Sequence, residues 1–264
     1  GDKNSLNTAS CESCATPHVT RSPEECLMQL PVLYYKYKDK VLQMDDTVVM
    51  KQRLGTALEG YPLAMGKELS QKERAEKQLY DESLNYGEFD LQSFDKLLQR
   101  CRRIFGHLPP TQTGVFWDLG CGLGKLALCA AAFHPFTQCW GMEVLRNLVE
   151  AGDSMIKGWK SSEAYQKERE YHKDITVRIV NADFLTSDAW VDNTTFLLVH
   201  ATCFSDSEMD AIQEKARGIG VGCLCVTVTK KLREDGMWFK LGEDTLEMAW
   251  GKAKVYMWEK ISVA

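Results

Sequence analysis

The 264 residues contain no apolar run of bilayer length. The longest, such as Leu126 to Phe133, fall far short of the roughly 20 residues a membrane helix needs. No signal-peptide pattern is visible, so an intracellular chain without a membrane partner is the expectation. Excess positive charge is also missing. With 32 Lys and Arg against 37 Asp and Glu the net charge is -5, which argues against holding nucleic acid by an overall field. The basic groups come in short clusters, Arg100, Arg102 and Arg103, then Lys230, Lys231 and Arg233, each short enough to be a solvated face and able to give at most a weak DNA contact. Ten cysteines are present but scattered, and Cys129, Cys223 and Cys225 sit inside apolar runs, as free thiols of a reducing compartment would. Cys11, Cys14, His18 and Cys26 form the one cluster with metal-ligand chemistry. A single CxxC in a polar terminal segment is a weak zinc signal, and no metal is expected.

What the chain does have is a strand feeding a glycine turn: Val115-Phe116-Trp117-Asp118-Leu119-Gly120-Cys121-Gly122-Leu123-Gly124-Lys125. Leu126 to Ala132 then reads as helix, with no breaker before Pro135. Alternate glycines let a nucleoside approach the main chain at a helix N-terminus. A dinucleotide fingerprint, G-x-G-x-x-G, would need Gly or Ala where Lys125 stands. G-x-G-x-G after Asp118 is instead the arrangement of class I S-adenosylmethionine (SAM) methyltransferases, in which the carboxylate faces the ammonium of the methionine part. Glu143 ends the next apolar stretch, where a doubly wound fold binds ribose hydroxyls. Ile175 to Val180 is a third strand running into Asp183 and Phe184, suited to the adenine amino group and ring.

The expected fold class is α/β, a Rossmann-like seven-stranded sheet with a small, mainly helical N-terminal subdomain. Residues 1–25 read as a flexible arm, 26–108 as the subdomain and 109–264 as the methyltransferase core, with the boundary in 106–113 around Pro109-Pro110. Within the subdomain, Pro31 to Tyr37 reads as a short strand, the charged segment Lys67 to Tyr80 as helix, and Leu91 to Phe105 as an amphipathic helix. Beyond Glu143, Leu145 to Lys173 reads as helix with Trp159 and Tyr165 packing inward. Thr195 to His200 is a fourth strand whose following residues, Ala201 to Phe204, border the expected reaction centre. Asp206 to Arg217 is helix, Gly222 to Lys230 a fifth strand, and Leu246 to Trp250 with Lys254 to Ile261 a closing hairpin about Gly251.

Taken in order, Tyr86-Gly87-Glu88, the glycine turn, Gly141-Met142-Glu143, Ala182 to Leu185, Val199 to Phe204, Trp250 and Tyr256 resemble the disruptor-of-telomeric-silencing family, the histone H3 lysine methyltransferases that lack a SET domain. The likeness covers roughly residues 80 to 260 and is greatest to the short kinetoplastid members. It implies that Tyr86, Gly87 and Glu88 form a loop over the methionine part of SAM, that Asp118, Gly120 and Gly122 hold the ammonium and backbone side, and that Lys125 stands where glutamine is usual. It further implies Glu143 on the ribose, Asp183 with Phe184 on the adenine, and Trp250 and Tyr256 lining a channel for the target lysine. Such aromatic walls would disfavour the charged amine, and His200 could relay its proton. S-adenosylhomocysteine is then the product, the nucleosome and histone H3 the partners, the nucleus the location and a monomer the expected state. His200 and Ala201 replace paired asparagines, and Phe89 a small hydroxyl residue. The cofactor motifs would equally serve a methyltransferase of a small molecule or another protein, or, with catalysis lost, a chromatin or RNA adaptor.

Overall fold

The computed structural model describes residue 54 and residues 56–105, 114–134, 136–169 and 174–262. The arm over 1–25, with Cys11, Cys14, His18 and Cys26, the strand expected over Pro31 to Tyr37, and Pro109-Pro110 lie outside the described residues, as do the side chains of Arg102 and Arg103.

Helix α1 (Leu63–Lys77) follows Pro62, whose ring presets an extended entry, and stops where Gln78 turns left-handed at φ 56°. Asp90 caps α2 (Leu91–Phe105), accepting from the Ser93 N–H at 2.8 Å. The apolar face of α2, Phe94, Leu97, Leu98 and Cys101, is buried in the same core as the sheet. Strand β1 (Gly114–Leu119) leads through the glycine turn into α3 (Lys125–Phe133), then β2 (Phe136–Glu143). The long helix expected next is two: α4 (Arg146–Ser161) ends at Ser162, whose hydroxyl accepts from the Tyr165 N–H and starts α5 (Glu163–Lys167). Trp159 is buried and meets Tyr165 edge to face, ring centroids 4.8 Å apart. Strands β3 (Thr176–Asn181) and β4 (Phe196–Val199) precede α6 (Asp206–Lys215), opened by a capping box between Ser205 and Glu208. Strand β5 (Leu224–Val228) and the hairpin β6 (Trp238–Met248) and β7 (Gly251–Lys260) complete the sheet.

The strand order is β3-β2-β1-β4-β5-β7-β6, parallel except for β7, which runs antiparallel to both neighbours. The hairpin is longer than its apolar alternation suggests. Strand β6 is an edge strand with charged outward positions and a register shift between Lys240 and Gly242, so its first half carries little period-two signal. Alternate residues of each strand face opposite cores. Phe116, Phe196, Leu198 and Val226 meet α2, α3 and α4, whereas Trp117, Leu197, Cys225 and Trp258 meet α6. The last strand is pinned by the buried Lys260, whose ammonium donates to the Arg217 carbonyl at 3.2 Å and that of Ala216 at 3.4 Å and lies over the Trp238 ring. The order reverses between β1 and β4, and in an open α/β sheet ligands bind at the carboxyl ends beside that point.

Candidate cofactor and active site

The glycine turn lies at the reversal point. Gly120, Gly122 and Gly124 have φ of 74°, 56° and 71°, a region that penalises any Cβ, which is why the turn alternates glycine. The amides of Gly120 and Cys121 donate to the Met142 carbonyl at 2.9 and 3.0 Å and fasten the turn to β2. Glu143, at the end of β2, accepts from the Gly122 N–H (3.0 Å) and the Leu145 N–H (2.8 Å) and so ties the turn to the start of α4. Its burial outweighs those hydrogen bonds and raises its pKa.

A cavity of about 500 Å³ opens at these strand ends. Of the residues singled out from sequence, Tyr86, Gly87, Gly120, Gly122, Glu143, Asp183, Phe184, His200 and Trp250 line it. Asp183 holds the Leu185 N–H at 2.7 Å, forming the turn that brings Phe184 to the wall. Phe204, not assigned to the cofactor from sequence, packs 5.2 Å from Phe184 and close against Gly120. Its only signal in the sequence is its place just after the fourth strand.

A water-sized space of about 20 Å³ adjoins this cavity, lined by Tyr86, Gly87, Glu88, Phe89, Asp118, Gly120, Lys125 and His200 among others. Lys125 donates to Glu88 Oε1 at 2.7 Å, and the Tyr86 hydroxyl donates to the same oxygen at 2.6 Å. Lys125 therefore pairs with the carboxylate of the Tyr-Gly-Glu loop. Asp118 is 1% exposed, and its Oδ1 has no hydrogen-bond partner among the described residues. Burial, then the nearby Glu143, pushes its carboxyl up to about 8. A buried acid without a partner is costly by itself and well suited to receive a cation.

At the mouth, Trp250 is half exposed. Its indole stacks on His200 and covers Gly87, where an added Cβ would come within 2.9 Å of the ring. The Tyr-Gly-Glu loop is joined to the hairpin by the Ala249 N–H donating to the Glu88 carbonyl at 2.9 Å. Phe89 is buried behind His200. Burial brings the His200 imidazole down to about 4, so it is neutral at pH 7, and its Nε2 has no partner among the described residues. Tyr256 does not join this group. It lines neither cavity, lies on the sheet face shared by Trp117, Leu197 and Trp258, and is covered by the ammonium groups of Lys231 (5.2 Å) and Lys240 (5.5 Å). Asp118 follows Phe116 in the two-residue period and faces the other way, so Tyr256 lies apart from the mouth, which Trp250, His200 and Gly87 line.

No curated protein matches the chain. Among solved structures, it is similar to the Haemophilus influenzae protein HI0767 (13% identity over 64% of this chain and 99% of that one, TM-score 0.48). It is also similar to magnesium protoporphyrin IX methyltransferase from Synechocystis PCC 6803 with bound SAM (11% identity, 82% and 98%, TM-score 0.46). The family model described as "Histone methylation protein DOT1" matches residues 77–258, which takes in the Tyr-Gly-Glu loop, all three carboxylate-bearing strand ends and all but the last two residues of the hairpin. The chain belongs to the DOT1 histone methylation family and has the α/β methyltransferase fold.

Proposed function

We propose that the protein transfers methyl groups from SAM to a lysine in the globular domain of histone H3 on the nucleosome, in the nucleus, with S-adenosylhomocysteine as product. Family membership supports the substrate class. The observation that carries the chemistry is the convergence of Asp118, Glu143 and Asp183, from three strand ends, on two adjoining cavities. The site fits SAM. The unpartnered Oδ1 of Asp118 is matched by the ammonium, Glu143 by the ribose hydroxyls, and Asp183, Phe184 and Phe204 by the adenine amino group and ring.

Bound SAM would supply a methyl carbon on a sulfonium, which leaves as a neutral thioether as the C–S bond breaks and the N–C bond forms. The protein must hold the amine in line and uncharged, and free lysine has a pKa of about 10.4. Trp250 and His200 make an aromatic wall without positive charge at the mouth, and such a wall disfavours the cationic amine by desolvation. The neutral imidazole of His200 is an acceptor near that wall rather than a strong base. Of the candidates for a histone contact, Arg102, Arg103, Lys230, Lys231 and Arg233, the side chains of the first two lie outside the described residues, Lys230 pairs with Asp206, Arg233 pairs with Asp210, and Lys231 is exposed over Tyr256.

The test is transfer of labelled methyl groups to reconstituted nucleosomes and to free histones, with Asp118→Ala as control and mass spectrometry of the modified site. Label on the globular part of H3, lost in the control, is the expected result. SAM binding with no histone labelled would move the substrate to another protein or a small molecule.

A further inference from the structure

All of helix α1 but its last residue lies ahead of residues 77–258, the part the family model matches, yet it holds both walls of the cavity. Helix α4 has no side-chain cap of its own, since its N-cap is Leu145. Its first two amides donate instead to Glu73 of α1, Arg146 N–H to Oε1 at 3.0 Å and Asn147 N–H to Oε2 at 2.6 Å. The preceding amide, Leu145, is held by Glu143. Three consecutive N–H groups at a helix start are thus satisfied by two carboxylates, one expected to touch ribose and one brought from a distant helix. Glu73 is 2% exposed, and although burial acts to raise its pKa, hydrogen bonds from Lys77, Asn147 and Arg146 outweigh it and hold the carboxyl below its usual value.

The other end of the clasp is equally specific. Ser70 donates to the Leu84 carbonyl at 3.1 Å, and Arg74 reaches Asn85 Oδ1 at 2.6 Å and the Asp81 carbonyl at 3.2 Å, so α1 also fixes the segment entering the Tyr-Gly-Glu loop. The Tyr86 ring is wedged between Gly66 of α1 and Gly122 of the glycine turn, and a Cβ at either glycine would collide with it.

We propose that α1 is part of the cofactor site and that Glu73 is its positioning residue, fixing the Glu143 corner by capping α4 from outside. This rests on the cofactor reading above. It is tested on the full chain by calorimetric titration with S-adenosylhomocysteine of the wild type, Glu73→Ala, Glu73→Gln, Glu143→Gln and the Glu73→Ala/Glu143→Gln pair, with circular dichroism and thermal melts for folding. Loss of a cap typically corresponds to about fivefold in an equilibrium and at most to about 30-fold. Glu73→Ala is expected to weaken binding by that factor and Glu73→Gln by less, with the Glu73→Ala effect falling below about twofold in the Glu143→Gln background, as coupled neighbours require. A folded Glu73→Ala that binds like the wild type, or an equal loss in both backgrounds, overturns the assignment. Should Glu73→Ala not fold, Glu73→Gln and amide hydrogen exchange of the wild type decide. Ligand should slow exchange over residues 63–77 and 145–147, and unchanged exchange there sinks the idea. Failure of the wild type itself to bind overturns the cofactor reading and this inference with it.

Discussion

The imidazole of His200 lies nearly flat on the indole of Trp250, ring centroids 5.2 Å apart and planes 19° from parallel. Phe89 packs behind the same imidazole with centroids 6.1 Å apart, so two residues set apart in the sequence are in contact. Together the three rings form one aromatic cluster. Trp250→Ala should lower kcat/KM on nucleosomes by at least about tenfold while leaving affinity for S-adenosylhomocysteine within about threefold, the split of a residue that serves the incoming amine. Steady-state kinetics beside calorimetry would show it, and equal losses in both would place the indole on the cofactor.

His200 also carries a pH signature. Its folded pKa of about 4 lies below the ordinary value of 6.5, so the stability linked to it is complete above that value and lost as pH falls toward 4. Thermal melts between those limits should show His200→Phe losing less stability on acidification than the wild type. The rate profile of the wild type should have no acid limb at the usual histidine pKa.

Asp118 has the opposite sign. A carboxyl raised from about 3.9 in the unfolded chain to about 8 in the fold supports the folded state below the lower value and loses that support as pH rises through the upper one. Asp118→Asn should therefore melt at least about 4 °C higher than the wild type at pH 8, although it should bind S-adenosylhomocysteine poorly. In the wild type at pH 7, binding the ligand's ammonium should release close to one proton, read from calorimetry in buffers of different ionisation enthalpy.

The Lys125–Glu88 pair, with side chains 12% and 18% exposed, is enclosed enough for its geometry to matter. Lys125→Met should cost about 1–3 kcal/mol in denaturant unfolding, because it leaves Glu88 charged with only the Tyr86 hydroxyl. Lys125→Gln keeps a donor and should cost less, and indistinguishable variants would mean that the charge contributes nothing.

Tyr256→Phe should leave nucleosome methylation within about twofold, since its ring serves as a floor for Lys231 and Lys240 on the far face of the sheet. A larger loss would restore it to the lysine path.

The strand ends were legible because each combines an apolar run with an acid and a turn: Asp118, Glu143 and Asp183 line the adjoining cavities as their spacing suggests. Tyr256 was not, because its facing depends on the register Thr227↔Tyr256, and a one-residue parity is lost when a strand's apolar residues occupy both faces. Glu73 was invisible for a different reason. With Lys77 one turn on, it reads as a solvated helix face, and only the arrival of the Arg146 and Asn147 amides makes it a buried cap. Trp250 and His200 each stood out singly, but their stacking depends on how the hairpin meets the loop at Glu88 and Ala249.

The family match begins at residue 77 and stops at residue 258, and both limits fall just inside a buried charge that closes a helix, Glu73 at the start of α4 and Lys260 beyond the end of α6. A protein trimmed to the recognisable region would keep every cofactor carboxylate assigned from sequence and lose both of these fastenings. The part of the chain that identifies the family is therefore smaller than the unit its buried hydrogen bonds tie together.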